Sequence, residues 1–288
     1  MVDERNIRQA SEHTNRWLVA RQKKHIAMVE KSINDLQDGI LNSINKLATN
    51  TSGKIEGLAV NMKQAQKIHA EVNKLFYTRF SMKTKAIVND FKWVSKVIEQ
   101  SYSYLDEAVK FTSIDNQTMN VLRDGYWRDY LAIGDQQKQK VIQSVYNQVI
   151  GGGSFNTLTN TIHGALMGST SLGVTGRSLA QYSRLYAKDM IMNFHNEVNV
   201  KKSEDIGIKH FLYVGDIIAT SRSFCKQRAG KTYTKDQINS WNHTWPGKSG
   251  PPMTHRGGYN CRHHWQGVKK EWLEGKKKID IADWFKED

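Results

Sequence analysis

Residues 26–47 read IAMVEKSINDLQDGILNSINKL, and the apolar side chains Ile26, Val29, Ile33, Leu36, Ile40, Ile44 and Leu47 recur at every third or fourth position. That period predicts an amphipathic α-helix, because about 3.6 residues per turn bring such positions onto one stripe. The same spacing returns at Ile87, Phe91, Val94, Ile98, Tyr102, Leu105 and Val109, predicting a second long helix. Between them, Ile68, Val72, Leu75 and Phe76 form a third stripe behind the Gly-containing stretch 52–57, and Val141, Val145 and Val149 indicate a fourth. No proline precedes Pro246, so nothing upstream removes a helix donor or clashes with a preceding turn. An elongated helical bundle or coiled-coil-like hairpin is expected over residues 1–150.

Beyond residue 150 the composition changes. Gly151, Gly152, Gly153, Gly164, Gly168, Gly173 and Gly176 fall in a segment otherwise rich in Ser and Thr. It reads as a loop or hinge, 151–176, around one short helix. A helix resumes at Ser178, with Leu179, Tyr182, Leu185, Tyr186 and Met190 at helical spacing, and is expected to run to about Val200. His210-Phe-Leu-Tyr-Val214 is aromatic and branched and stops at Gly215-Asp216, so it predicts a strand. The rest, to about Val268, is rich in turn residues and holds both Cys, all three Pro, and Trp241, Trp245 and Trp265. The expected fold class is therefore mainly α with a small α+β C-terminal domain, divided into a helical region 1–150, a hinge 151–176 and a domain 177–288 with a basic tail.

The chain has 288 residues, a length that predicts about two domains. It carries 42 Lys+Arg against 28 Asp+Glu, a formal charge of +14, while eight Trp, eleven Tyr and nine Phe exclude a disordered basic tail. No apolar run approaches the roughly 20 residues of a membrane-spanning helix, so no membrane partner is expected. Asp3 and Glu4 open the chain with no apolar stretch behind them, and synthesis in a cytoplasm without a secretory signal is expected. Positive charge is densest over 209–278, where 14 Lys and Arg face only Asp216, Asp236, Glu271 and Glu274. Close to double-stranded DNA such a surface gains affinity by counterion release, without sequence preference. The candidate phosphate contacts are Arg222, Lys226, Arg228, Lys231, Arg256 and Arg262, with Lys276-Lys277-Lys278 as a second patch.

The most informative residues lie in Thr220-Ser-Arg-Ser-Phe-Cys225-Lys-Gln-Arg-Ala-Gly230-Lys-Thr-Tyr233 and in Pro251-Pro-Met-Thr-His255-Arg-Gly-Gly-Tyr-Asn-Cys261-Arg-His263-His264. Thiolate and imidazole are the ligands zinc prefers, so Cys225, His255, Cys261 and either His263 or His264 make a candidate Cys₂His₂ zinc set. Its spacing is not that of a zinc finger, since Cys225 stands alone. Two other readings use the same residues. Cys225 and Cys261 are also suited to packing as small buried hydrophobes. A metal-dependent nuclease or toxin-like enzyme would use His263 or His264 as general base and Arg262 or Arg256 against a phosphoryl transition state, with Asp216 or Asp236 as the nearby carboxylates. A plain non-specific DNA-binding protein is the third class; no helix-turn-helix or other named module is present to support it.

The order Asp216, Thr220-Ser-Arg222, Cys225, Gly230-Lys-x-Tyr233, a Pro-Pro turn and Asn260-Cys261-Arg262-His263 resembles the C-terminal domain of the phage Mu F-type minor head proteins, also called head morphogenesis proteins. The likeness covers about residues 150 to 268. Where that family closes on Cys-Arg-Cys, this chain has Cys261-Arg262-His263, one soft ligand in place of another. The resemblance implies a non-catalytic virion component of the capsid interior, assembled in the host cytoplasm. Its implied partners are the portal protein, scaffold or capsid proteins, and packaged double-stranded DNA.

Overall fold

The computed structural model describes residues 4–105, 110–168, 177–241 and 252–269. It is mainly helical, with a small three-stranded antiparallel sheet towards the C-terminus. In chain order the elements begin with α1 (Glu4–Ile44), α2 (Leu58–Leu75), a π-helical turn (Phe76–Ser81), α3 (Met82–Asn89), α4 (Phe91–Leu105), α5 (Ser113–Ile150), α6 (Phe155–Leu166) and α7 (Leu179–Asp205). There follow β1 (His210–Val214), α8 (Ser223–Arg228), β2 (Thr232–Thr234), α9 (Lys235–Ser240), α10 (Pro252–His255) and β3 (His264–Val268). No described helix is long and apolar enough to cross a membrane.

The chain forms two compact units that do not follow chain order. One comprises residues 1–23, 90–124 and 188–288, the other 24–89 and 125–187. The expected division at 150 and 176 is sequential, whereas α1, α5 and α7 each contribute residues to both units.

In the unit of residues 24–89 and 125–187, the first stripe is buried as its period predicts. Val29, Ile33, Leu36, Ile40 and Ile44 have no exposed surface, Leu47 is buried and only Ile26 stays partly open. The third stripe does not end at Phe76 but continues through the π-helical turn into α3. The wider turn changes the helical phase and carries Phe80 onto α5, stacked on Tyr130 with centroids 5.1 Å apart. A Cβ at Gly134 would lie 2.6 Å from the Phe80 ring, so α5 needs glycine there. The second long helix also differs from expectation: it is interrupted at Asp90, which separates α3 from α4. Val109 lies outside the described residues.

The described part of the expected hinge is hydrogen-bonded structure. Gly152 has φ +57, the Gly153 N–H returns to Gln148 O at 2.9 Å, and the Gly153 carbonyl accepts from Ile55 N at 2.8 Å. The three glycines thus terminate α5 in a tight turn, as left-handed residues commonly do. Ser154 then caps α6, which buries Leu158 and Ile162. Residues 169–176 of the expected hinge lie outside the described residues.

In the unit of residues 1–23, 90–124 and 188–288, the sheet order is β2-β1-β3. β1 pairs with β2 at Phe211↔Tyr233 and with β3 at Phe211↔Gly267 and Tyr213↔Trp265. Alternation along the strands places Phe211, Tyr213, Tyr233 and Trp265 on one face. With Phe224, Cys225, Ile238, Met253 and Cys261 they make the local core. β3 is an edge strand, and an edge leaves backbone groups unpaired. Here α7 supplies the partners. Asn196 Oδ1 accepts from Trp265 N at 3.1 Å, Asn199 Nδ2 donates to Trp265 O, and Asn196 Nδ2 donates to Met253 O at 2.7 Å. α7 runs to Asp205, beyond the expected Val200, and within this unit it presents Asp189, Asn193, Asn196, Asn199 and Ser203, a polar stripe at helical spacing.

The closest approach of helix and strand is at Gly267. A Cβ there would meet Ser203 Oγ at 2.1 Å, Ser203 Cβ at 2.8 Å and the Tyr102 hydroxyl at 2.9 Å, and Tyr102 and Ser203 are hydrogen-bonded to each other. Gly267→Ala is therefore expected to lower stability by about 1–3 kcal/mol through overpacking. Urea unfolding followed by tryptophan fluorescence measures it, and an unchanged midpoint would show that α7 and β3 are not in this contact.

Candidate functional site

The two motif segments meet on the aromatic face of the sheet. The first builds α8 and β2. Gly230, at φ +76, turns the chain so that its N–H reaches Tyr213 O at 2.8 Å while Tyr213 N donates to Lys231 O at 3.0 Å. Tyr233 lies edge-on to Trp241 at 4.8 Å and to Trp265 at 6.3 Å. Thr234 and Gln237 then cap α9 reciprocally, Gln237 N donating to Thr234 Oγ1 at 3.2 Å and Thr234 N to Gln237 Oε1 at 2.8 Å.

The second segment turns three times after α10, with positive φ at Arg256 (52°), Gly258 (87°) and Asn260 (57°). α7 holds these turns: Arg256 Nη2 donates to Asn193 Oδ1 at 2.6 Å and Asn260 N to Asp189 Oδ1 at 2.9 Å. Trp265 Nε1 reaches back to Pro252 O at 2.9 Å. The result places Cys261 beside Cys225 of α8. Their sulfurs are 3.9 Å apart, both thiols are free, and His263 Nδ1 is 3.7 Å from Cys261 Sγ. The ligand atoms of Cys225, Cys261 and His263 all lie within 4.8 Å of one another, and all three residues are buried.

The Tyr213 hydroxyl, from the middle strand, is 3.5 Å from Cys225 Sγ and 3.4 Å from Cys261 Sγ. Its ring stacks on His263 at 5.0 Å and 10°. Gly257 N donates to Cys261 Sγ at 3.3 Å, and a Cβ at Gly257 would stand 2.5 Å from Cys225 Sγ and 2.9 Å from Cys261 Sγ. Only a glycine lets the backbone close over both sulfurs. A Cβ at Gly215 would likewise stand 2.7 Å from the His263 ring.

The site is a buried cluster of thiol, imidazole and phenol groups. Cys225 has its thiol pKa pushed up, first by its hydrogen bond to Cys261 and then by burial. Burial opposes ionisation of Cys261, but hydrogen bonds from Cys225 and His263 and the charge of Arg256 outweigh it and hold Cys261 well below the ordinary thiol value. Burial, then the two neighbouring sulfurs, raise Tyr213 well above an ordinary phenol. Beside the cluster, His195 and His264 meet edge to face at 4.7 Å. Burial and then Arg256 depress His195 to about 3, and burial, His195, Arg256 and His263 hold His264 well below its ordinary value.

Of the four expected metal ligands, Cys225, Cys261 and His263 converge and His255, half-buried at the end of α10, does not join them. His264, the alternative to His263, faces His195 instead. Tyr213 had no motif to mark it; its only signal was its place two residues after Phe211 on a strand face.

The expected phosphate contacts divide as well. Arg222, Lys226, Lys231 and Arg262 are exposed, and Arg222 Nη2 also donates to Tyr259 O at 2.7 Å. Arg256 is fully buried and serves the α10 turn, so it is not a phosphate contact. Arg228 is partly buried, its guanidinium 4.1 Å from the Phe224 ring centre and 4.2 Å from that of Trp241, which makes it part of the aromatic packing. Lys276, Lys277 and Lys278 lie outside the described residues. Asp216 and Asp236 are exposed and lie outside the Cys225, Cys261 and His263 group.

Comparison with protein-family models, with curated proteins and with solved structures found no match in any of the three.

The neutral His195 ties stability to pH. Its folded pKa of about 3 lies below the usual value near 6.5 of an unfolded chain, so between these values the unfolded state binds more protons and stability falls as pH falls. His195 contributes fully above about pH 6.5, and a loss of about 1–2 kcal/mol is expected from it on going from pH 7 to pH 5. Urea titrations at the two pH values measure it. His195→Gln should lessen that slope, with His264 supplying the part that remains, and a wild-type profile already flat over this range would contradict a buried neutral imidazole.

Proposed function

We propose that this chain is a structural minor head protein of a tailed phage, a component of the capsid interior that associates with the portal and with scaffold or capsid proteins. In this reading the C-terminal residues lie against packaged double-stranded DNA and bind it without sequence preference. The supporting observation is how the motif residues are used. Gly230 and Asn260 make turns, Tyr233 and the two Cys line a core, and the outward side chains of the same segments are Arg222, Lys226, Lys231 and Arg262. A domain so built offers a fixed shape with a cationic rim.

A nuclease would need a carboxylate at His263. The groups that surround His263 in the described residues are Cys261, Cys225 and the Tyr213 ring, while Asp216 and Asp236 face solvent. This favours the structural reading over the enzymatic one.

Two measurements test the proposal. Mass spectrometry of virions assembled from the genome that encodes the chain, after cross-linking, is expected to find it in the particle and joined to the portal; particles lacking it would overturn the assignment. Binding to a duplex of arbitrary sequence, followed by anisotropy over a salt series, tests the DNA contact. Replacing Arg222, Lys226 and Arg262 together by Ala is expected to reduce the slope of log K against log salt by about 2–3, since each phosphate contact contributes roughly 0.9. An unchanged slope would move the DNA-binding surface elsewhere.

A further inference from the structure

We propose that Cys225, Cys261 and His263 hold a zinc ion in a closed structural site, with the Tyr213 hydroxyl at the fourth vertex. The inference stands apart from the head-protein reading, because it rests on the geometry of four side chains alone. A tetrahedral zinc with Zn–S near 2.3 Å and Zn–N near 2.0–2.1 Å requires ligand edges of about 3.8 Å between two sulfurs and about 3.6 Å from sulfur to nitrogen. The observed edges are 3.9 Å for Cys225 to Cys261 and 3.7 Å for Cys261 Sγ to His263 Nδ1. An oxygen ligand near 2.0 Å would stand about 3.5 Å from each sulfur, and Tyr213 Oη is at 3.5 and 3.4 Å. Four distances that no covalent bond enforces thus match one polyhedron, and the Cys225 to His263 edge lies within 4.8 Å.

The surroundings fit an ion as well as the edges do. A sulfur separation of 3.9 Å is far from the roughly 2.05 Å of a disulfide. Two thiolates balance the two charges of zinc and leave imidazole and phenol neutral, so the assembled group carries no net charge into an interior where Tyr213 is completely buried and both Cys are 3% exposed. The Gly257 N–H aimed at Cys261 Sγ gives that thiolate the charge-assisted hydrogen bond such a ligand accepts. With four protein vertices and no open position, the ion would staple rather than react. It would join the middle strand through Tyr213, α8 through Cys225, and the turn before β3 through Cys261 and His263.

The test uses the full-length chain purified without chelator. Elemental analysis is expected to find about one zinc per chain, falling to under about a tenth in Cys261→Ser and His263→Ala and unchanged in His255→Ala. Loss in His255→Ala with retention in His263→Ala would overturn the ligand set. Because a cysteine variant can fail to fold, the wild-type chain provides an independent reading. One equivalent of cobalt(II) added to the metal-free protein is expected to produce thiolate-to-cobalt charge-transfer absorption and strong tetrahedral d–d bands. A wild-type protein that holds no zinc and develops no such bands overturns the site, as does recovery of Cys225 and Cys261 as a disulfide from the freshly purified chain. Tyr213→Phe is expected to keep the metal and shift the d–d bands as water replaces the phenol, and an unshifted spectrum removes Tyr213 from the fourth vertex.

Discussion

The C-terminal part of this protein depends on two buried amides. Asn196 and Asn199 sit three residues apart on α7 and take the N–H and C=O of Trp265, which the edge of the sheet would otherwise leave unpaired. Each amide and each backbone group is removed from water, so losing one partner leaves the other unsatisfied at a cost of about 1–3 kcal/mol. That penalty fixes β3 against α7 in one register. A purely apolar contact would tolerate sliding, whereas a pair of amides meeting one residue's backbone does not. With Trp265 fixed, its indole N–H holds Pro252, and the turns that follow are tied to Asn193 and Asp189 one and two turns back along the same helix.

The cysteine cluster is a consequence of this arrangement. Cys261 reaches Cys225 because three residues with positive φ, two of them not glycine, fold the chain back on itself after α10. Left-handed Arg256 and Asn260 are unfavourable in isolation, and α7 holds both. The Arg256 side chain is consumed in that task, which is why a residue that looks like a surface cation is entirely buried.

Much of the fold was legible because burial leaves a period. The stripe from Val29 to Ile44 is a helix face, with Leu47 buried just beyond its end, and His210–Val214 is a strand with the boundaries its residue types imply. The π-helical turn was hidden because Phe76 and Phe80 keep an apolar spacing of four and show no seam in the pattern. The docking stripe of α7 was hidden for a different reason. Asp189, Asn193, Asn196, Asn199 and Ser203 have helical spacing, but they are polar, and a search for apolar periodicity passes over a helix that packs through hydrogen bonds. β2 and β3 are short, and β3 mixes His, Trp, Gln, Gly and Val, all buried because both of its faces are covered. In the site, residue chemistry identified Cys225 and Cys261 and left His263 and His264 as alternatives, which the structure separates. Excluding His255 required knowing where α10 ends, and finding Tyr213 required the strand register.

The sheet also sets an order of events. β1 and β3, the longest partners in it, are separated by the whole of residues 215–263, and β2 alone offers β1 only three paired positions. A contact that closes so long a loop forms late, because its entropy is lost before the pairing is gained. On the ribosome, α7 is complete well before β3 emerges, and during that interval Asn196 and Asn199 lack the Trp265 backbone and the aromatic face of β1 lacks the Trp265 ring. Until residues 264–268 arrive, the strand at 210–214 is an open edge beside exposed aromatics, the kind of surface on which nascent chains associate. The vulnerable state of this protein is therefore a kinetic one, lasting as long as translation takes to cross from the first strand to the third.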